Sequence, residues 1–350
     1  MKKLMVVAMI GAVILLMVSG VTVTPVIAAE KITLSWSDYA PPMDDRYSYY
    51  KQFIKRVEEE TNGKVEINLY PSEQLSKAVQ QFEAMMRGTI DICAFVPVYY
   101  AGKIPLAVLS SEASYTEPGD PAVLTSRMIK ENSALFARYG IKFLGWSGEL
   151  APMCLVGQKI FRTFDDVKDV KIRAPGSAAK AVNLWGGTGV SIPNSEIYMA
   201  LQRGVVDASY QTIATVKSQR LWEVVPAVTF HRVGGSPTLV CMNMKKWNSL
   251  PDDVKKAFEK VGREMPLWSY KHARDFVSKT EDFLKTKFKE AYKLTEEESK
   301  PFDEVSMGWA WKPITKKLGK PAQDWWNKIL AVEAETKKAR AEGKPIRFFE

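Results

Sequence analysis

A nine-residue pattern occurs twice in this chain and limits how the chain can fold. Residues 84–92 read AMMRGTIDI and residues 200–208 read ALQRGVVDA, so each helical pattern ends at Arg-Gly and continues as an apolar strand with an Asp at its start. Glycine suits the left-handed position after a helix, and the β-branched residues beyond it favour extended chain. A strand and a proline-containing turn precede each copy. The repeat therefore predicts the same α/β unit twice, and two similar lobes imply a cleft between them.

The N-terminus has the pattern of an export signal. Two lysines precede an uncharged stretch, residues 4–29, which ends in Ala28 and Ala29. This order is typical of a secretory signal peptide, so residues 1–29 are predicted to be removed by cleavage after one of these two alanines. An uncleaved membrane anchor is the alternative, because the apolar stretch is long for a signal. We expect a mature chain that begins near Glu30 and is soluble in a bacterial periplasm.

Charge and cysteine content argue against two classes of protein. The chain has 49 Lys and Arg against 40 Asp and Glu, a net charge of +9, and the basic residues are dispersed among carboxylates. Nucleic-acid binding needs a clustered basic stripe, so no nucleic-acid partner is predicted. Cys93, Cys154 and Cys241 are too few for a disulfide framework, and we expect them to be small buried hydrophobic residues.

Strand and helix patterns alternate along the mature chain, which is typical of a mainly parallel sheet covered by helices. Near the C-terminal third, a helical pattern runs from Pro251 to about Tyr292, long enough to lie across both lobes, and Pro266 is predicted to kink it. The predicted boundaries are residues 30–150 plus about 238–279 for lobe I, and residues 151–237 plus about 280–350 for lobe II.

Arg173 is the single residue that most strongly indicates a ligand site. Residues 170–173 alternate apolar and polar side chains, and Pro175 and Gly176 end this strand, so Arg173 falls at the carboxyl edge of a predicted parallel sheet. Proteins of the α/β class place their ligand crevices there. A guanidinium offers a planar fork that matches a carboxylate. From spacing alone, an exposed arginine paired with a nearby Asp explains the pattern equally well.

Longer stretches of this region resemble a known family. The segments VKIRAP at residues 170–175 and PNSEIYMALQRGVVD at residues 193–207 are similar to motifs in the solute-binding subunits of tripartite ATP-independent periplasmic (TRAP) transporters, the DctP-like family. The likeness covers nearly the whole mature chain. It implies a periplasmic binding protein fold of two α/β lobes, joined by crossing strands and a long helix, that closes on one ligand.

The resemblance also implies roles for particular residues. It assigns Arg173 to the carboxylate of the ligand, and it places Gln211 where the family often has an assisting Asn. Tyr210 replaces a family Glu, which removes a charge and adds an aromatic face. Many members of the family have a further Arg upstream of the main one. Counting without gaps, Met153 stands at that position here, so this chain lacks the arginine that would bind a second carboxylate.

Apolar and aromatic residues are predicted to form the walls of the cleft. A strand of lobe I ends in Phe95 and Val96, Tyr39 and Trp146 are further candidates, and Asn194 begins a helix that the family directs into the cleft. Ordinary core packing is the alternative for each aromatic residue. One arginine, one amide and several aromatic rings predict a monocarboxylate with an apolar or aromatic body, because a polyhydroxylated or dicarboxylic solute needs more polar partners.

Enzyme signatures are weak in this sequence. Its two histidines, His231 and His272, lie far apart, and neither an HExxH motif nor a cysteine-pair zinc pattern occurs, so no metal or cofactor is predicted. We predict a periplasmic receptor, not an enzyme, that binds an organic acid and delivers it to the membrane permease subunits of a TRAP transporter. The alternatives are a receptor for an ATP-driven importer and, less favoured, a secreted hydrolase with His231 as general base.

Overall fold

Two β-sheets covered by helices form the core of the protein. The structure is a computed structural model, which describes residues 31–44, 46–109, 120–147, 152–231 and 238–348. The predicted signal peptide lies outside the described residues. The strands are β1 (Ile32–Ser37), β2 (Val65–Tyr70), β3 (Ile92–Phe95), β4 (Ile141–Ser147), β5 (Met153–Gly157), β6 (Lys171–Ala174), β7 (Thr188–Ser191), β8 (Ala208–Thr212), β9 (Ala227–Phe230), β10 (Thr238–Asn243) and β11 (Glu290–Lys293).

Helices surround both sheets, and none in the described part of the chain is long and apolar enough to cross a membrane. The α-helices are α1 (Arg46–Glu60), α2 (Gln81–Arg87), α3 (Pro105–Leu109), α4 (Asp120–Arg127), α5 (Ile129–Ala137), α6 (Phe164–Val167), α7 (Ala179–Leu184), α8 (Ile197–Gln202), α9 (Ile213–Ser218), α10 (Met244–Ser249), α11 (Asp252–Lys285), α12 (Glu296–Leu318) and α13 (Lys320–Ala341). Short 3-10 helices lie at Ala78–Gln80, Pro97–Tyr100, Gly176–Ala178, Asn194–Glu196 and Leu221–Glu223.

The two sheets share the arrangement of five strands, and the second sheet has a sixth strand, β11, at its edge. The first has the strand order β2-β1-β3-β10-β4, and the second has the order β7-β6-β8-β5-β9-β11. In each sheet the first three strands are parallel, and the fourth, β10 or β5, is antiparallel to both its neighbours. The chain enters the second sheet at β5 after β4 and the first sheet at β10 after β9, and it returns to the second sheet at β11 after α11. The predicted α/β fold with crossing strands is confirmed; we call the first sheet with its helices lobe I and the second lobe II.

Both glycines of the repeated pattern have the left-handed backbone that the sequence predicts. Gly88 follows α2 with φ +78°, and Gly204 follows the end of α8 with φ +68°. A Cβ atom at either position would meet no atom within 4 Å. The backbone angle, not lack of space, therefore explains the glycine at each position.

The two aspartates of the repeat make equivalent hydrogen bonds. Asp91 Oδ2 accepts from the backbone N–H of Ser35 in β1 at 2.9 Å, and Asp207 Oδ2 accepts from the backbone N–H of Lys171 in β6 at 2.9 Å. Each carboxylate thus satisfies a backbone donor on the neighbouring parallel strand. The repeated Asp is a structural residue of each α/β unit.

The 34-residue helix α11 packs against both lobes, contacting α1, α4 and β4 of lobe I and α9 and β11 of lobe II. It approaches β4 closely at Gly262, where a Cβ atom would lie 2.1 Å from the carbonyl oxygen of Leu144. The helix ends at Lys285, so its predicted extension to about Tyr292 was wrong. Pairing of β11 with the edge of β9 accounts for the difference, because a long-range contact overrides local helical propensity.

The helix α13 packs on lobe I through an apolar face. Trp326, Ile329 and Val332 form a buried cluster with Val123 and Leu124 of α4. The boundaries predicted from the sequence assign this segment to lobe II. The three cysteines are free and buried, as predicted.

Candidate functional site

A small cavity lies between the lobes, at the carboxyl ends of β3, β6 and β8. The cavity has a volume of about 30 Å³, which is enough for about two water molecules. The two lobes therefore lie closed against each other. Lobe I contributes Tyr39, Arg46, Val96 and Tyr99; lobe II contributes Met153, Arg173, Pro175, Asn194, Gln211, Thr212 and Thr215.

Arg173 is a buried cation in this cavity, with a side chain 1% exposed. Its Nε donates to the carbonyl oxygen of Ile192 at 2.9 Å, and its Nη2 donates to Tyr99 Oη at 3.3 Å. Within the described residues no carboxylate forms an ion pair with it. Burial lowers the pKa of the guanidinium, and Tyr99 opposes this effect. A desolvated cation with neutral partners is unfavourable, so an anion in the cavity would supply the missing charge.

Gln211 adds a buried amide to the same face of the sheet. The parallel strands β6 and β8 place Arg173 opposite Ser209, so Gln211, two residues further on, projects from the same face as Arg173. Gln211 is 3% exposed, and neither its Oε1 nor its Nε2 has a hydrogen-bond partner among the described residues. Because buried amides are normally hydrogen-bonded, the cavity offers one free donor group and one free acceptor.

Tyr210 lies on the opposite face of β8, since side chains alternate along a strand. Its ring packs edge-on against Trp185 with 5.0 Å between centroids, and it lies 5.5 Å from the ring of His231. It belongs to the hydrophobic core of lobe II and does not line the cavity. The structure therefore does not bring this predicted site residue to the cleft.

The other predicted site residues divide into two groups. The side chains of Phe95 and Trp146 lie outside the described residues. The remaining four, which form part of the cavity wall, are Tyr39, Val96, Met153 and Asn194.

The sequence analysis missed Arg46, a second arginine in the cavity. It is 2% exposed at the start of α1, and its Nε and Nη2 donate to the two carboxylate oxygens of Asp44 at 2.7 and 2.6 Å. Its guanidinium carbon lies 4.6 Å from the ring centroid of Tyr39. The signal was an Asp-x-Arg spacing at the start of the first helix. Because Asp44 neutralises Arg46, the two arginines of the cavity differ electrostatically.

Direct contacts hold the lobes together around the cavity. In addition to the bond from Arg173 to Tyr99, Ser195 Oγ donates to Glu73 Oε2 at 2.6 Å. Gly176 of lobe II lies against the backbone of Val98 in lobe I; a Cβ atom there would be 2.4 Å from the Val98 carbonyl oxygen. Gly176 also has φ +47°. Closure in this arrangement requires a residue without a side chain at position 176.

A larger cavity of about 510 Å³ lies away from the cleft, between α4, α5, β4 and α11. Of its lining cations, Lys142 pairs with Glu259 at 2.6 Å and Arg127 pairs with Glu335 at 3.0 Å, so both have carboxylate partners within the chain. Arg263, which also lines this larger cavity, is exposed. The interlobe cavity is smaller, but it contains a buried cation without a carboxylate partner and a buried amide without a hydrogen-bond partner among the described residues. We therefore take the interlobe cavity as the candidate site.

His231 is packed in the core of lobe II and does not line the cavity. Its ring lies 5.2 Å from the ring of Phe302 and 6.1 Å from that of Trp185. Burial lowers the pKa of its imidazole from 6.5 to about 4, so the ring is neutral at pH 7. This environment is that of a core side chain.

We expect His231 to destabilise the protein as the pH falls from about 6.5 to about 4. Because the folded-state pKa is the lower one, the unfolded chain binds the extra proton in this window, and stability rises with pH. At pH 4.5 the loss should reach about 2 kcal/mol. Urea unfolding at pH 4.5 and pH 7 should show a smaller loss for His231→Leu than for wild type. Equal losses of stability in the two proteins would contradict the assignment of His231 as a buried, neutral side chain.

Two α/β lobes enclose a buried arginine that has no carboxylate partner among the described residues, and this arrangement is that of a solute receptor. The model of the bacterial extracellular solute-binding protein family 7, DctP, matches residues 36–317. The chain belongs to this family, whose members are the receptors of TRAP transporters, and the predicted resemblance is confirmed. The alternative of a receptor for an ATP-driven importer finds no support.

Relatives and solved structures agree with this assignment. A solute-binding protein of Albidiferax ferrireducens is 27% identical over 309 residues, which cover 84% of this chain and 87% of that protein. The C4-dicarboxylate-binding periplasmic protein DctP of Rhodobacter capsulatus is 25% identical over 292 residues, 79% of this chain and 85% of that protein. The crystal structure of DctP7, a Bordetella pertussis receptor binding pyroglutamic acid, superposes with TM-score 0.78 at 18% identity, covering 85% of this chain and 99% of that one. The two-lobed fold is thereby confirmed.

Proposed function

We propose that this receptor closes on an organic acid between its lobes and delivers the acid to the membrane permease subunits of a TRAP transporter. The observation that carries the proposal is the Arg173 guanidinium, 1% exposed and bonded only to Ile192 and Tyr99 among the described residues. A carboxylate would accept from its remaining donors and compensate its charge. Since such a ligand touches both lobes, it binds the closed form more tightly than the open form and shifts the population towards closure.

The charge balance of the cavity favours a monocarboxylate. Asp44 already neutralises Arg46, which leaves Arg173 as the single uncompensated cation among the described lining residues. The walls that face it include Tyr39, Val96 and Met153. A second carboxylate would have to displace Asp44 or remain unpaired. A small acid with one carboxylate and an apolar body therefore matches the charges of the cavity lining better than a dicarboxylate does.

Binding of organic acids is tested by thermal shift and calorimetry with matched solutes. The panel pairs monocarboxylates with their neutral amides, such as benzoate with benzamide, and includes succinate and pyroglutamate. A ligand selective for the native state at 100 times its Kd stabilises the protein by about 2.7 kcal/mol. We expect monocarboxylates to raise the Tm and their amides to leave it unchanged. Equal shifts by acids and amides would contradict the proposal.

The remaining assignments belong to the same proposal. We propose export through cleavage of residues 1–29, periplasmic location of the mature chain, and lobes divided near residues 150, 237 and 279, with the last helix, α13, returning to lobe I. Proteomic detection of a periplasmic peptide that begins at Ala29 or Glu30 would support the cleavage. We further propose that the receptor has no catalytic role, so the bound acid should be recovered unchanged after prolonged incubation.

A further inference from the structure

We infer that the cavity of about 510 Å³ between α4, α5, β4 and α11 is a second binding site, and that it takes an organic anion with an apolar body. A cavity of this size lies within the range of small-molecule sites in proteins. Its lining comes from these four elements and from no residue of the cleft. Binding here is therefore separate from the function proposed for the cleft.

The floor of this cavity is apolar. Phe143 and Leu144 of β4 and Phe258 of α11 line it, and each of them is at most 4% exposed. The cavity ends where the helix meets the strand, at the close contact between Gly262 and the carbonyl oxygen of Leu144. An apolar part of a ligand would lose its contact with water against this floor, which favours binding.

The mouth of the cavity is polar and mainly basic. The lining residues Lys130, Glu259 and Arg263 are exposed, so the cavity opens to solvent on this side. Glu259 is the one carboxylate in the described lining, and Lys142 pairs with it at 2.6 Å. Arg263 forms no ion pair within the described ranges. The charge at the mouth therefore favours an anion.

Arg127 adds a buried donor that no described residue uses. Its side chain is 9% exposed and lines the cavity; its Nη2 donates to Glu335 Oε2 at 3.0 Å, whereas its Nε has no partner in the described part of the chain. A buried donor without an acceptor is unfavourable. A water molecule would satisfy this donor alone. An anionic oxygen would satisfy it with a stronger hydrogen bond and would also compensate the charge of Arg263.

The class of ligand is tested with naphthalene-2-sulfonate, which joins an anionic group to a flat apolar body, and naphthalene-2-sulfonamide, which has the same body without the charge. Calorimetry on the mature protein should show one sulfonate bound with a Kd of about 1 mM or tighter, and the sulfonamide bound at least about tenfold more weakly. No binding of the sulfonate, or equal binding of the two compounds, would overturn the inference.

The place of binding is tested first with Arg173→Met. This variant removes the cation of the cleft and should bind the sulfonate as wild type does, because Arg173 is not part of the larger cavity. Loss of sulfonate binding in Arg173→Met would place the compound in the cleft and overturn the second site. Whether organic acids bind in the cleft is decided by the separate panel of acids and amides.

Three further variants test the larger cavity itself. Arg127→Met should weaken sulfonate binding by about tenfold or more, since it removes the buried donor. Arg263→Glu reverses an exposed charge at the mouth and should weaken binding by about fivefold. The matched control is Arg274→Glu, at an exposed arginine of the same helix outside the cavity lining, and it should keep the wild-type Kd.

Each result with these variants decides the question. An unchanged Kd in folded Arg127→Met or in Arg263→Glu, or an equal loss of affinity in Arg274→Glu, would overturn the site. Should Arg127→Met fail to fold, the comparison of Arg263→Glu with Arg274→Glu decides, because both side chains are exposed and neither change disturbs the core.

Discussion

Replacing Arg173 by Met is expected to weaken binding of the organic acid by one to three orders of magnitude. The guanidinium is 1% exposed and has no ion-pair partner among the described residues, so its charge is available to the ligand alone. Removing one partner of a buried charge pair weakens binding by about 2–4 kcal/mol, and each 1.4 kcal/mol is a tenfold change in Kd. Calorimetry with the tightest acid of the panel measures this change.

The same variant should leave the unliganded protein at least as stable as wild type. Methionine fills much of the volume of the arginine, and it removes a desolvated charge whose partners are neutral. Arg203→Met is the matched control, because Arg203 is an exposed arginine of the same lobe. The control should keep wild-type affinity. Wild-type affinity in Arg173→Met, or a large loss in the control, would remove Arg173 from the site.

Replacing Gly176 by Ala is expected to hold the lobes apart and weaken binding by tenfold or more. The new Cβ would lie 2.4 Å from the carbonyl oxygen of Val98 across the cleft, and its backbone angle of +47° disfavours a side chain. Opening the cleft relieves the contact with Val98, so the closed, binding-competent fraction falls and the apparent Kd rises in proportion. Calorimetry gives the affinity, and small-angle X-ray scattering at saturating ligand should show a larger radius of gyration.

Gly204→Ala separates this effect from backbone strain. Gly204 has a similar angle of +68°, but a Cβ there meets no atom within 4 Å. This control should lower the Tm without changing the affinity. If the affinity falls equally in the two variants, or if Gly176→Ala binds as wild type does, closure through this contact is contradicted.

Much of the fold could be predicted from local sequence patterns. The bounds of α1 and β2 follow from amphipathic and alternating patterns, and the two Arg-Gly-x-x-Asp segments form equivalent caps in the two lobes. The end of α11 could not be predicted in this way. Residues 290–293 become a strand because the edge of β9 is available to them, and that partner lies more than fifty residues earlier in the chain.

Residues of the candidate site could be predicted where the order of the strands and the alternation of side chains along them determine the position of a side chain. Arg173 and Gln211 lie on neighbouring parallel strands with their side chains on one face. Tyr210, next to Gln211 in sequence, faces the core for the same reason. Arg46 was missed because its place in the cavity depends on the packing of lobe I against lobe II, and because its pairing with Asp44 is a property of the folded chain.

A crystal structure of the receptor with its bound acid tests the central claim most directly. The account predicts that the carboxylate oxygens of the ligand lie about 2.7–3.0 Å from the guanidinium nitrogens of Arg173, between the two lobes. A ligand bound elsewhere, with Arg173 still bonded only to Ile192 and Tyr99, would contradict it.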